Sequence, residues 1–189
     1  MPPANANRIR IIGGRYRGRV IRFPPAEALR PTPDRVRETL FNWLGQDLTD
    51  LRTLDLFAGT GALTFESLSR GAALAVAVDR SPALVQALRS TAETLAASGL
   101  EAHAGDAFAH LRREDRRFDV IFLDPPFASD DWERLLAPCH ARLAAGGFIF
   151  AEAARTIEPP PELALWRSAK AGAVHYHLLI RAEDVPAES

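Results

Sequence analysis

The stretch Leu54-Asp55-Leu56-Phe57-Ala58-Gly59-Thr60-Gly61-Ala62-Leu63 constrains this chain more than any other. It reads as a short buried strand that runs into a glycine-bearing turn and then opens a helix. Gly59 and Gly61 are needed where backbone passes close to a ligand, or takes positive φ, with no Cβ in the way. The helix that begins near Ala62 points unpaired backbone N–H groups at that ligand. Asp79 ends the next apolar run, Ala75-Val76-Ala77-Val78. An acidic side chain at that place accepts hydrogen bonds from ribose hydroxyls. Together these features predict a pocket for a nucleoside.

A dinucleotide-binding turn would carry a third glycine three residues after the second, where this chain has Thr64. The run Asp55-x-Phe57-Ala58-Gly59-Thr60-Gly61 instead resembles motif I of class I S-adenosylmethionine (SAM) methyltransferases. That resemblance implies SAM as cofactor and S-adenosyl-L-homocysteine as its product. It makes Asp79 the ribose-binding acid, with Arg80 beside it, and puts Asp106 near the adenine, with Ala107 supplying backbone contacts. Asp106 has a second reading as the N-cap of the helix that follows it, and both readings can hold at once.

From Leu51 onward strand and helix alternate. Strands are expected at Thr53–Phe57, Leu74–Val78, Glu101–Ala104, Phe118–Leu123 and Phe148–Ala151, the last entered through a turn at Ala145-Gly146-Gly147. Helices are expected at Ala62–Ser69, at about Ser81–Ala97 with Ser81 as cap and Pro82 as first residue, at Ala107–Arg113 and at Trp132–Leu143. This spacing means a parallel sheet covered on both faces. Leu163–Ser168 and Ala173–Arg181 break the alternation and read as an antiparallel hairpin. A reversed final strand belongs to the class I methyltransferase sheet and is foreign to an ordinary dinucleotide fold. The expected architecture is α/β: a Rossmann-like doubly wound sheet with an antiparallel final strand, plus a small N-terminal hairpin and helix. Residues 1–7 and 183–189 read as free tails, 8–50 as a basic appendage that meets RNA, and 51–182 as the methyltransferase domain.

The N-terminal part is unusually basic. Nine arginines (8, 10, 15, 17, 19, 22, 30, 35 and 37) face only Glu27 and Asp34 between Arg8 and Arg37, in a chain of net charge −1. A preference for Arg over Lys explains the residue type; the clustering points to an anionic partner at one face. The runs Arg8-Ile-Arg-Ile-Ile12 and Arg19-Val-Ile-Arg-Phe23 flank Gly13-Gly14-Arg15-Tyr16-Arg17-Gly18 and read as a hairpin with arginines on one face. Arg8, Arg10, Arg15, Arg17 and Arg19 are candidate RNA contacts, and Tyr16 is a candidate stacking ring. The alternative is an edge hairpin with a solvated outer face. Further on, Thr32 is expected to cap a helix whose first residue is Pro33. Its apolar face is Val36, Leu40, Phe41 and Leu44.

Asp124-Pro125-Pro126-Phe127 carries the sharpest chemistry. It matches the Asp/Asn-Pro-Pro-aromatic motif of methyltransferases that act on amines conjugated to a planar ring. Such an amine gives its lone pair to the ring and is a poor nucleophile. The Asp124 carboxylate and the Pro125 carbonyl are placed to accept its two N–H hydrogens and expose the lone pair. Two prolines hold φ near −65°, which aims that carbonyl, and Phe127 offers a stacking face. An ordinary aspartate, with a pKa of about 3.9, is ionised and weakly basic, so Asp124 is expected to accept hydrogen bonds first and protons second. In a doubly wound sheet ligands gather at the carboxyl ends of strands. Asp55–Gly61, Asp79, Asp106 and Asp124–Phe127 all fall at such ends.

Length, 47% hydrophobic content and 25% charged residues suit one globular domain. No run approaches the roughly 18 apolar residues of a membrane span. A lone Cys139 rules out an internal disulfide framework and suits a reducing cytoplasm. Cys139-His140 lacks partners at metal-ligand spacing, so no metal is expected.

With these motifs in hand, the chain is similar to the bacterial 16S ribosomal RNA guanine-N2 methyltransferase family (RsmD-like) from Arg8 to about Arg181. The most specific likeness lies in Arg8-Ile-x-Ile-Ile-Gly-Gly-Arg-Tyr-Arg-Gly-Arg19 and Leu29-Arg-Pro-Thr-Pro-Asp-Arg-Val-Arg-Glu-Thr-Leu-Phe-Asn-Trp-Leu44. The resemblance implies a monomeric cytoplasmic enzyme that methylates the exocyclic amine of one guanine in 16S ribosomal RNA, within an assembling small subunit. It brings Thr32, Asp34, Arg35, Arg37 and Asn42 near the cofactor or target base, with Arg30, Thr32, Arg35 and Arg37 among the expected RNA contacts. An adenine-N6 methyltransferase of RNA or DNA is the alternative enzyme, since the same motif handles adenine. A protein-glutamine target fits less well with Asp124 where Asn is usual. A catalytically idle RNA-binding assembly factor is the alternative from another class.

Overall fold

The computed structural model describes residues 7–25, 32–126 and 132–186. Its centre is a seven-stranded sheet. In chain order the strands are β3 (Arg52–Asp55), β4 (Leu74–Asp79), β5 (Leu100–Ala104), β6 (Phe118–Leu123), β7 (Leu143–Ala153), β8 (Leu163–Ala171) and β9 (Val174–Arg181). Their spatial order is β5-β4-β3-β6-β7-β9-β8. Neighbours from β5 through β7 run parallel. Strand β9 inserts antiparallel between β7 and β8. This is the mostly parallel sheet with a reversed last strand that the sequence predicts.

Helices cover both faces because each βαβ crossover must bury an apolar strand. On one side lie α4 (Ala107–Arg113) and α5 (Trp132–Ala141), packed on Leu54, Val76, Ile121, Leu123 and Ile149. On the other lie α1 (Asp34–Leu44), α2 (Ala62–Ser69) and α3 (Pro82–Leu95). Phe41, Phe122, Phe150 and Tyr176 form a chain of ring contacts with centroids 6.4–6.5 Å apart, which ties α1 to the middle of the sheet. Helix α3 begins as expected: Ser81 Oγ accepts from the Leu84 N–H, and Pro82 is the first helical residue.

Two local expectations are corrected. Thr32 does not cap α1, which starts at Asp34 with Pro33 as N-cap. The Pro33 carbonyl receives the Val36 and Arg37 N–H groups, and Thr32 is buried one residue too early to reach them. The second concerns Ala145-Gly146-Gly147, which forms a bulge inside a continuous β7 instead of a turn before it. The register jumps from Phe118–Leu143 to Val120–Phe148, and Gly146 sits at φ 70°. A Cβ on Gly147 would stand 2.9 Å from the Asp119 carbonyl, so the extra residues fold flat against β6.

The N-terminal segment forms a separate antiparallel pair, β1 (Arg8–Arg10) with β2 (Val20–Arg22). Ile11, Tyr16 and Ile21 are buried with Phe65, Leu68, Val85 and Leu88 of α2 and α3. Gly14 makes the close approach that this docking requires. It has φ 71°, and a Cβ there would fall 1.9 Å from the Ser69 carbonyl. The Arg15 N–H donates to that same carbonyl at 2.6 Å.

Candidate active site

The glycine turn sits between the carboxyl end of β3 and the first turn of α2. Gly61 is the N-cap of α2 at φ 79°, ψ 14°, a left-handed conformation. A Cβ on it would meet Leu88 at 2.4 Å and Phe65 at 3.0 Å, so glycine is required twice over, for conformation and for space. Gly59 also has positive φ, at 50°. Asp79 braces the turn from the end of β4: one carboxylate oxygen accepts from the Gly59 N–H at 2.9 Å and the other from the Ser81 N–H at 2.8 Å. Each carboxylate oxygen has two acceptor sites, so Asp79 can still receive ribose hydroxyls while holding the loop. Phe57 is half-buried beside the turn, whereas Ala58 and Thr60 are buried. Thr60 Oγ1 accepts from the Ala62 N–H.

Asp55 lies beneath the turn, 4% exposed, with Thr64 Oγ1 donating to it at 2.8 Å. Thr64 thus has a task where a dinucleotide fold would place glycine. Burial pushes the Asp55 carboxyl up to about 7, against the lowering effect of the Thr64 hydroxyl and the Phe57 N–H.

Asp106 is the N-cap of α4, accepting from the Ala109 N–H at 3.0 Å, so the capping reading is realised. Its other oxygen pairs with the exposed Arg80 at 2.5 Å, which draws its pKa down. Ala107 is buried behind it. Arg80 and Asp106 together close the β4–β5 side of the rim.

Asp124 is half-buried just past β6, followed by buried Pro125 and exposed Pro126. Phe127 and Arg30 lie outside the described residues. Leu123 pairs with Ala151, so the next residues along these parallel strands are Asp124 and Glu152. Asp55 pairs with Phe122 and Phe122 with Phe150, so Asp55, Asp124 and Glu152 share the face of the sheet that α1 and α2 cover. Desolvation, then Glu152, then Asp55 push the Asp124 pKa well above the ordinary carboxylate range. The expectation of an ordinary, fully ionised Asp124 is corrected on that ground: three acids on adjacent strands cannot all carry charge cheaply.

The basic segment divides. Arg8, Arg10, Arg15, Arg17, Arg19, Arg22 and Arg35 are exposed. Arg37 is not: its side chain is wholly buried, donating to Glu66 at 3.3 Å, to Asp34 at 2.5 Å and to the Arg10 carbonyl at 3.0 Å. Tyr16 is buried as well, with Arg15 over its ring at 5.5 Å. These two expected RNA contacts are corrected to internal packing, and Thr32 is likewise buried. Asn42 is exposed on α1, hydrogen-bonded to Gln46.

Two residues escaped the sequence reading. Glu66 is fully buried and accepts from the Ile12 and Gly13 N–H groups, Arg37 and Arg70. A lone charge in a helix with no exposed face is the signal that could have found it. Glu152 is the second: a carboxylate straight after an apolar strand, as Asp124 is.

Comparison with known proteins adds a family to this geometry. The family model described as Conserved hypothetical protein 95 matches residues 9–180. Ribosomal RNA small subunit methyltransferase D of Escherichia coli (strain K12) is 37% identical over 187 residues, spanning 94% of this chain and 92% of the relative. The solved structure of yhhF from Escherichia coli superposes with a TM-score of 0.83 at 39% identity, covering 92% of this chain and 98% of that one. SMU.776, solved in complex with SAH, has a TM-score of 0.65 at 17% identity, covers 77% of this chain and 48% of that one, and shows the fold alone.

Proposed function

The chain belongs to the Conserved hypothetical protein 95 family, and from that premise we propose that it is a SAM-dependent methyltransferase acting on the exocyclic N2 amine of a guanine in 16S ribosomal RNA. The observation that carries the reading is the meeting of Asp124-Pro125 with the Gly59–Gly61 turn and Asp79 at neighbouring strand ends of one rim. The site suits SAM: Gly59 and Gly61 take the positive φ that turns β3 tightly into α2 at the rim, and Asp79 keeps acceptor capacity for the ribose. When bound, SAM supplies a methyl group on a positively charged sulfonium.

The protein's own task is alignment. Gly59, Gly61 and Asp79 fix one partner at the ends of β3 and β4. Asp124 and the Pro125 carbonyl hold the amine of the other at the end of β6. The amine nitrogen that would take the methyl group has to give up one proton. Because its pKa is raised, Asp124 is a stronger proton acceptor than an ordinary aspartate, so taking that proton is within its reach. The exposed arginines of the hairpin and Arg35 supply phosphate contacts.

Mass spectrometry of ribosomal RNA from cells lacking the protein tests this reading. One N2-methylguanine should disappear from 16S RNA and return on complementation. Loss of a methyl group from an adenine amine would favour the adenine-N6 reading, and an unchanged methylation pattern would remove the enzyme reading altogether.

A further inference from the structure

Glu152 takes no part in aligning the amine with the methyl donor. It sits near the carboxyl end of β7, 8% exposed, and its Oε2 has no hydrogen-bond partner among the described residues. A buried carboxylate oxygen with no donor costs free energy unless a ligand brings one. Asp124 is its neighbour on the adjacent strand, and the two repel each other. Tyr176 is opposite it on β9, and Arg35 of α1 acts on that same Tyr176. Two acceptors therefore stand side by side at the end of the sheet.

Resting on the reading of this site as a guanine-N2 methyltransferase, we propose that Glu152 is the residue that selects guanine, by accepting its ring N1–H while Asp124 holds the adjacent N2 amine. A guanine edge presents N1–H and N2–H2 next to each other, a row of donors that matches a row of carboxylates. Adenine presents N6–H2 beside a bare N1, an acceptor, and would set a lone pair against Glu152. A site built around a substrate N–H rejects an analogue lacking it far more strongly than an apolar pocket rejects a missing methylene. Positive charge that develops on the purine as the N–C bond forms is shared between two acids instead of one.

The test uses small-subunit particles carrying either guanine or 2-aminopurine at the methylated position, the position itself being mapped first by mass spectrometry. 2-Aminopurine keeps the amine but has an acceptor at N1. Wild-type enzyme should prefer guanine by at least about 100-fold in kcat/KM. E152Q can turn its amide N–H toward the 2-aminopurine N1, so its preference should narrow to under about tenfold, with SAM affinity unchanged within about twofold. Should E152Q fail to fold, E152D decides the same point: drawing the carboxylate back by one methylene should lower the guanine preference at least about tenfold. A variant that folds and keeps the wild-type preference overturns the proposal, because a merely structural glutamate would lower both rates together. If wild-type enzyme places its label on an adenine or on a ring nitrogen, the guanine-N2 reading fails, a result distinct from failure of Glu152 to discriminate.

Discussion

Asp55 illustrates what the site asks of a single residue. Its carboxyl is held at about 7 when folded, against an ordinary value of 3.8, because it is buried beneath the glycine turn. A raised pKa means that the folded state binds the proton more tightly than the unfolded chain does. The resulting stabilisation is complete below about pH 4 and is lost as pH rises to about 7, on the order of 4 kcal/mol over three units. Asp55→Asn should therefore flatten the ligand-free melting temperature between pH 5 and pH 7.5, where the wild type declines, while its amide oxygen still accepts from Thr64. Parallel melting curves for the two proteins across that range would sink this account. Asp124 poses the complementary question about chemistry. If its carboxylate accepts the amine hydrogen more strongly as positive charge builds on nitrogen, its contribution peaks in the transition state. Asp124→Ala should cut single-turnover methylation by at least about 100-fold, roughly 2.7 kcal/mol, while SAM affinity falls less than about tenfold. Because the protonated form accepts poorly, the wild-type rate should climb with pH on a limb above the ordinary carboxylate range, and Asp124→Asn should lose that limb. A wild-type rate in Asp124→Ala on small-subunit particles would remove Asp124 from the mechanism.

At the scale of elements, α2 holds the N-terminal hairpin to the body of the protein through Glu66. Its carboxylate receives two backbone N–H groups from Ile12 and Gly13 and two arginine side chains, Arg37 from α1 and Arg70 at the C-cap of α2. Removing one member of a buried charge network strands the others, at about 3–5 kcal/mol. Glu66→Ala should lower stability by that order and free the amides of β1 and β2 to exchange with solvent faster than those of the central sheet. Equal protection of the hairpin in wild type and variant would show that Ile11, Tyr16 and Ile21 suffice to dock it. This hub also marks the limit of what the sequence makes legible. Local signals sufficed for α2, whose bounds are set by Gly61 and by the apolar run to Ser69, and for the end of β6 at Leu123, which the prolines follow. The rim carboxylates Asp79 and Asp124 are visible for the same reason, since each closes an apolar run, and Asp55 is visible through the glycine turn that follows it. What stayed hidden depends on partners distant in sequence. Arg37 looks like any arginine in a basic segment until Glu66, on another helix, is found to neutralise it. Glu152 looks like a surface charge until the β6–β7 register sets it beside Asp124.

On the scale of the whole molecule, a net charge of −1 coexists with an exposed cluster of arginines at the N-terminal end. Among the described residues Arg8, Arg10, Arg15, Arg17, Arg19 and Arg22 lie exposed along the β1–β2 hairpin, whose inner face is anchored on α2 and α3 by Ile11, Tyr16 and Ile21. The hairpin is therefore a rigid basic surface, and the balancing acids lie on other parts of the chain. An RNA bound there releases condensed counterions in proportion to the phosphates neutralised, so its affinity must fall as salt rises. Replacing Arg15, Arg17 and Arg19 with Ala removes three exposed charges from the loop between β1 and β2 without touching Glu66, Arg37 or the glycine turn. RNA affinity at low salt should fall, and the slope of log affinity against log salt should become shallower by about 2, given roughly 0.7 per phosphate contact on single strands. SAM affinity should stay within about twofold of wild type, because the cradle around Gly59, Gly61 and Asp79 is formed by other elements. Titrations of small-subunit RNA at several salt concentrations, paired with SAM calorimetry on the same preparation, separate the two effects. An unchanged slope in the triple variant would mean that the hairpin is only a solvated edge and that RNA is held elsewhere. A collapse of SAM affinity alongside RNA affinity would mean that the hairpin supports the cofactor turn through α2 and does not act as an independent RNA contact.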